Sequence, residues 1–304
     1  MIGQISIANL KRIQKVYYHG ECPDGIGART ILQKYFDDVE YIPYYFEELK
    51  EVPSYALFID CAPQAHQLKE LLEKGGCIAE HHDSRLDELL ELRKEHPQQI
   101  LYGVGMESGA FLALEILSLM GEPSNGALEE VAHLLAIGDT WQKEDPGFVR
   151  ARKFANYIRF FGNDFNISLE ELLKREAQVE EYDLVQKRLH RTQVDRAIIL
   201  QQQFREHLRI AFINDSELNI SDASDLLRQQ GIPLTVGWTV KTYLGKRSIV
   251  YSMRSKPEVI DVGAFAKLHG GGGHKPAAGF IVDYAADRDP IQYFMYLMSS
   301  TWRP

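Results

Sequence analysis

The chain has 304 residues, 45% apolar and 25% charged, with a net charge of −9. That length accommodates two ordinary domains, and the balance is that of a soluble globular protein. The acidic surface excludes a long duplex as the general partner, because duplex binders present a basic face. No apolar run approaches a membrane span or a secretory h-region. Cys22, Cys61 and Cys77 show no disulfide spacing and imply a reducing, cytoplasmic setting.

In chain order, Lys15–His19, Tyr41–Tyr44, Tyr55–Asp60, Gly76–Glu80 and Ile100–Val104 are predicted strands. Helical spacing follows Gly25, Ala65, Ser84, Ser108 and Ala127. Such alternation predicts an α/β domain over residues 1–145, with a mainly parallel, doubly wound sheet. A ligand site is then expected off the carboxyl ends of the strands. No proline lies between Pro146 and Pro233, and Ser168-Leu-Glu-Glu171 carries a capping-box signal. Leu169, Leu172, Leu173, Ala177, Tyr182, Val185 and Leu189 follow at helical spacing and predict one long helix from 169 to 190. Residues 146–194 are read as a helical linker and 195–304 as a smaller α/β domain. Its predicted strands are Arg209–Ile213, Leu234–Tyr243, Arg247–Met253 and Gly279–Val282. A short helix, Val262–Leu268, has Asp261 as N-cap and Gly270 as stop.

Acids and imidazoles gather in islands placed after apolar runs. His19, Glu21 and Asp24 occupy a turn marked by Pro23 and Gly25. Carboxylates with imidazole suit Mn²⁺ or Mg²⁺ better than structural zinc, and the same residues also suit a solvated turn and helix cap. Asp60 ends the strand pattern Tyr55–Ile59, where it can bridge two ions or form an Asx-turn. Glu80-His81-His82-Asp83-Ser84 follows the next apolar run. Adjacent histidines at a strand end point different ways, so one can bind metal while its neighbour meets substrate. Asp83 and Ser84 read as helix caps. Asp139 closes the helical run Val131–Ile137, where an anion opposes the helix dipole unless a cation lies near. An ordinary surface turn fits Asp139 equally well.

The second domain carries Gly270–Gly273, His274 and AAGF at Ala277–Phe280. Successive glycines let backbone N–H groups approach an anion, and a flexible hairpin is the alternative. Lys241–Pro276 holds Lys241, Lys246, Arg247, Arg254, Lys256, Lys267 and Lys275 against Glu258 and Asp261. This locally basic segment suits a short anionic ligand, or a solvated charged face. Phe265 and Tyr243 can stack a base or fill a core.

In this order the islands resemble the DHH phosphoesterase family with its associated C-terminal domain, including its oligoribonuclease-like members. The likeness runs over nearly the whole chain. His19-Gly-Glu21-Cys-Pro-Asp24-Gly resembles the first motif, Asp60 the second, Glu80-His81-His82 the name-giving motif and Asp139 the fourth. Ser252-Met-Arg254-Ser and the glycine motif resemble the C-terminal domain. The resemblance implies two divalent ions, Mn²⁺ by preference and Mg²⁺ as substitute. His19, Glu21 and Asp60 would hold one ion; Asp24, Asp60, His81 and Asp139 would hold the other. His82 would contact the scissile phosphate. Arg254, Gly272, Gly273 and His274 would bind the far end of the substrate across an interdomain cleft. Glu21 stands where the family has Asp, which implies an altered first position. Glu80 replaces the first acid of the name-giving motif and is read as surrounding the ligands.

The expected activity is hydrolysis of a short nucleic-acid substrate: few-nucleotide RNA, a linear dinucleotide or a nucleoside 3′,5′-bisphosphate. Polyphosphate or a cyclic dinucleotide is the alternative substrate. A weak nucleotide-binding regulatory module is the alternative of another class. Neither long duplex DNA nor a membrane is an expected partner, and a homodimer is compatible with the sequence.

Overall fold

Ala56–Ile59 and Cys77–Glu80 are buried at every position. Such runs cannot alternate between core and water; they belong to strands covered on both faces. The computed structural model describes residues 1–36, 38–46, 48–122, 125–201, 208–214, 220–243, 246–256 and 258–301. It divides the chain into two units, Met1–Asp183 and Leu184–Pro304.

The first unit runs β1 (Ile2–Ile5), α1 (Ile7–Leu10), β2 (Lys15–His19), α2 (Pro23–Leu32), β3 (Glu40–Tyr44), β4 (Ala56–Ile59), α3 (Ala65–Glu73), β5 (Cys77–Glu80), α4 (Leu86–Glu95) and β6 (Gln99–Tyr102). It continues with α5 (Gly109–Leu119), α6 (Gly126–Asp139), α7 (Phe148–Phe161), α8 (Leu169–Leu173) and α9 (Glu176–Asp195), within which the division falls. Strand order is β1-β6-β5-β4-β2-β3, parallel except for β1, which pairs antiparallel to β6. On one face Val16, Leu57 and Ala79 pack with Ile26, Leu112, Leu128 and Phe154 from the helices. On the other, Phe58, Ile78 and Tyr102 pack with Leu68, Leu71 and Leu89. The sheet is therefore doubly wound, as the alternation of motifs predicts. Chain order reverses between β2 and β4, the position at which such sheets open a crevice at their carboxyl ends.

The second unit runs β7 (Ile198–Gln201), β8 (Arg209–Asn214), α10 (Ile220–Gln229), β9 (Leu234–Tyr243), β10 (Lys246–Ser255), α11 (Val262–Leu268), β11 (Gly272–His274), β12 (Ala277–Asp283) and α12 (Pro290–Thr301). Its sheet has the order β11-β12-β10-β9-β8-β7, and β8–β9 is its parallel pair among the described residues. Tyr251, Met253 and Phe280 pack with Phe265 and Phe294 of the helices. Ala211 and Ile213 pack on the other face with Ala223 and Leu227.

Two expectations change, and one open alternative is decided. The helix expected over 169–190 is two helices, broken at Lys174-Arg175. The Ser168 half of the capping box is present: Ser168 Oγ accepts from the Glu171 N–H at 3.2 Å. Residues 146–183, read as linker, belong to the first unit, where Phe154, Ile158, Leu172 and Val179 enter the core. Phe265 is 1% exposed against Phe280 and Phe294, so it is a core aromatic and offers no stacking face. The side chain of Tyr243 lies outside the described residues.

Candidate metal centre

His19 ends β2, Asp60 follows β4, and Glu80, His81 and His82 end and follow β5. These are neighbouring strands, so their carboxyl ends deliver all five side chains to one place. Asp24 arrives from the first turn of α2 and Asp139 from the last turn of α6.

Asp60 is the centre of the arrangement. It is 1% exposed and its φ is 58°, a left-handed backbone that aspartate tolerates better than most residues. Such conformations persist where the surroundings over-determine them, and functional sites collect them. Its Oδ1 lies 2.8 Å from His81 Nε2 and its Oδ2 3.4 Å from His19 Nδ1. The two carboxylate oxygens thus address different imidazoles. Around His81 Nε2 stand Asp24 Oδ2 at 3.8 Å and Asp139 Oδ2 at 3.6 Å as well.

Asp24 is held by the start of α5. Its carboxylate accepts from Ser108 Oγ at 2.7 Å, Gly109 N–H at 2.5 Å and Ala110 N–H at 3.1 Å. Helix N-termini favour anions, which stabilises a carboxylate that the interior would otherwise reject. Gly109 is required by proximity: a Cβ there would lie 2.4 Å from Asp60 Cβ and 2.9 Å from Asp24 Oδ2.

Glu80 stands beside Asp60, His81 and His82. Fully buried, its Oε1 accepts from the N–H groups of His81 (2.7 Å) and His82 (3.1 Å) and meets His82 Nδ1 at 2.6 Å. One carboxylate oxygen therefore fixes the turn after β5 and the orientation of His82.

The electrostatics are those of a cation site. Burial, then the nearby Asp60 and Asp139 carboxylates, push Asp24 well above its ordinary range. Burial also opposes the charge on Asp60, yet the imidazoles of His19 and His81 hold it well below the usual carboxylate range. The same carboxylates lift His81 well above an ordinary imidazole despite its burial. Burial works against Glu80 too, but His82 holds it at about 2. Repelling carboxylates packed this closely call for positive charge between them. His19 Nδ1, Asp60 Oδ2, Glu80 Oε2 and Asp139 Oδ2 are buried with no hydrogen-bond partner among the described residues. Carboxylate oxygens with imidazole nitrogens, partly unsatisfied and buried, fit a pair of divalent ions.

Among the described residues of the first unit, three groupings have ligand atoms within 4.8 Å of one another: His19, Cys22 and Asp60; Asp24, His81 and Asp139; and Asp60, Glu80, His81 and His82. The structure thus brings together His19, Asp24, Asp60, His81, His82 and Asp139 of the expected residues. Glu21 is in none of these groupings; it is exposed, at φ 59°, with its N–H bonded to Asn163 Oδ1 at 3.2 Å. Cys22 takes part instead. Sequence reading missed Cys22, Ser108, Gly109 and Asn163. Ser108 was visible only as a helix start, and Asn163 carried no local signal.

Arg254, Gly272, Gly273 and His274 lie together in the second unit. Arg254 pairs with Ala277 on one side and His274 pairs with Ala277 on the other. Directly paired residues share a sheet face, so Arg254 and His274 flank a small side chain. On the same face, Gly272, Gly279 and Ser252 form the next row. Arg254 Nε donates to Ser221 Oγ at 2.8 Å, which fixes the guanidinium from α10. The glycine run is an ordered turn and edge strand. Gly270, at φ 78°, closes α11, and a Cβ on Gly271 would lie 2.1 Å from Gly279 O.

No family model matches the chain. It is 25% identical over 310 residues to an uncharacterized protein of Acanthamoeba polyphaga mimivirus, across 90% of this chain and 68% of that protein. Among solved structures it is similar to a DHH domain described as a member of the s1p family of ribosomal proteins. That match has a TM-score of 0.60 and 14% identity, and covers 97% of this chain and 87% of the other. It is also similar to RecJ of Thermus thermophilus in complex with Mn²⁺, with a TM-score of 0.52, 14% identity and 97% of this chain covered. The chain spans 53% of that RecJ. The chain has the DHH-domain fold.

Proposed function

We propose that this chain is a phosphoesterase that uses two divalent ions to hydrolyse short nucleic-acid or nucleotide substrates. The observation that carries the reading is Asp60: one buried carboxylate with an oxygen toward His19 and an oxygen toward His81. When bound, a pair of divalent ions supplies charge neutralisation at phosphorus and lowers the pKa of an attacking water. Asp60 would join the two positions, with His19 on one side and Asp24, His81 and Asp139 on the other. Mn²⁺, which accepts imidazole more readily than Mg²⁺, is the expected activator.

The remaining residues bind and orient. Glu80 fixes His82, which would contact the scissile phosphate. Arg254, Gly272, Gly273 and His274 would take the terminal nucleotide or its distal phosphate. The flat row beside Ala277, between a guanidinium and an imidazole, supports that assignment. Net acidity with one basic segment favours short substrates over long ones.

Burial of Phe265 removes one base-stacking candidate and favours a second reading, hydrolysis of polyphosphate. The deciding experiment is a panel of short RNAs, linear and cyclic dinucleotides, nucleoside bisphosphate and polyphosphate, each with Mn²⁺, with Mg²⁺ and with excess chelator. Turnover of short RNA or linear dinucleotide with Mn²⁺ is expected. Full turnover in chelator would overturn the metal reading. Metal binding without hydrolysis of any member would favour a regulatory nucleotide-binding module.

A further inference from the structure

The turn after β2 separates two residues that the sequence places side by side. Glu21 turns its backbone left-handed and its side chain is exposed, while its N–H is anchored on Asn163. Cys22 then precedes Pro23, which forces it into an extended conformation, φ −86° and ψ 128°. Cys22 is the N-cap of α2, yet its side chain makes no capping hydrogen bond. Its Sγ lies instead within 4.8 Å of ligand atoms of both His19 and Asp60. Asp60 is 1% exposed, and its Oδ2, on the His19 side, has no hydrogen-bond partner among the described residues.

We infer that Cys22 Sγ, and not the Glu21 carboxylate, completes the first cation position together with His19 and Asp60. The inference rests on the two-ion reading above and assigns the two positions different chemistry. The first offers thiolate, imidazole and one carboxylate, and selects softer ions such as Zn²⁺, Co²⁺ or Fe²⁺. The second offers Asp24, Asp60 and Asp139 with one imidazole, and suits Mn²⁺ or Mg²⁺. Cys22-Pro23-Asp24 would then sort two unlike ions across a single proline. A coordinating thiol gives up its proton on binding.

The test uses the full chain stripped of metal and titrated with Co²⁺. Wild type is expected to show ligand-field bands and, with the first equivalent, a sulfur-to-cobalt charge-transfer band in the near ultraviolet. Cys22→Ser should lose the charge-transfer band, keep cobalt at the second position and bind Zn²⁺ at the first roughly ten- to a hundredfold more weakly. Glu21→Gln should leave both signals unchanged. A measurement without variants follows from the other cysteines. Cys61 and Cys77 are buried while Cys22 is half-buried, so alkylation of the native chain reads Cys22. Zn²⁺ should slow that alkylation by about tenfold or more, and Mg²⁺ should not. Cobalt bound without charge transfer, loss of the first ion in Glu21→Gln, or unchanged alkylation with Zn²⁺ bound would each overturn the inference while leaving two-ion binding intact. No cobalt binding at all would overturn both readings.

Discussion

The two sheets gather their candidate site residues by opposite means. In the first unit, parallel strands end together, so side chains from β2, β4 and β5 converge and charges become buried against one another. In the second, antiparallel pairing sets residues in rows, and β11, β12 and β10 present Gly272, Gly279 and Ser252 beside Ala277. The first arrangement concentrates charge for chemistry. The second removes side chains and leaves a face framed by Arg254 and His274. Buried charge should therefore govern turnover, and the flat face should govern grip on the substrate.

Asp60→Asn strikes the first arrangement hardest. Removing the charge shared by both positions should cost several kcal/mol at the transition state, about a thousandfold or more in kcat. Steady-state kinetics and calorimetric metal stoichiometry check it; a variant with near-normal kcat breaks the comparison. His274→Ala tests the other side. A charge-assisted hydrogen bond to phosphate is worth roughly 1.5–3 kcal/mol, so kcat/KM for a dinucleotide should fall about ten- to a hundredfold. A small nitrophenyl phosphodiester should be hardly affected. Equal losses on both substrates would place His274 at the reacting phosphorus.

Two smaller effects sharpen the first unit. A Cβ at Gly109 would press on Asp60 and Asp24, so Gly109→Ala should destabilise the fold by about 1–3 kcal/mol and weaken metal binding. Urea midpoints and metal titration read the two effects separately. Glu80 titrates at about 2 in the fold against an ordinary 4.5. The unfolded chain therefore binds the proton first, so the contribution of Glu80 is full above about 4.5 and is lost as pH falls toward 2. In chelator, Glu80→Gln should be less stable than wild type at neutral pH, and the gap should close through that window. A gap independent of pH would deny the Glu80–His82 pair its electrostatic role.

What could be read beforehand was mostly local. The bounds of β2, α11 and β9 stand as expected, because apolar runs, the Asp261 cap and the stop at Gly270 all lie within a few residues of what they control. Antiparallel β1, an edge strand of four residues, was missed for want of pattern. The break at Lys174-Arg175 carries neither proline nor glycine; the burial of Leu172 and Val179 in one core accompanies it, and a single helix pattern does not show that. At the site, acids and histidines after strands were legible because water-loving groups at the end of an apolar run need a reason. Cys22 escaped because a thiol is unremarkable next to two acids, and its direction depends on a left-handed turn at Glu21. Gly109 and Ser108 escaped because their partner, Asp24, lies far away in the sequence.

Asn163 has a consequence for how far this protein can be cut down. Its side chain accepts the Glu21 N–H, and its carbonyl oxygen accepts from the guanidinium of Arg29 at 2.8 Å. Phe165 O accepts from the same guanidinium. The first turn of the candidate metal centre is thus fastened by a stretch that follows α7, well after the last candidate ligand, Asp139. A fragment ending soon after Asp139 would contain each ligand named here and lack the clasp that shapes their approach. The smallest autonomous piece of this machinery is therefore longer than the roll of its ligands suggests.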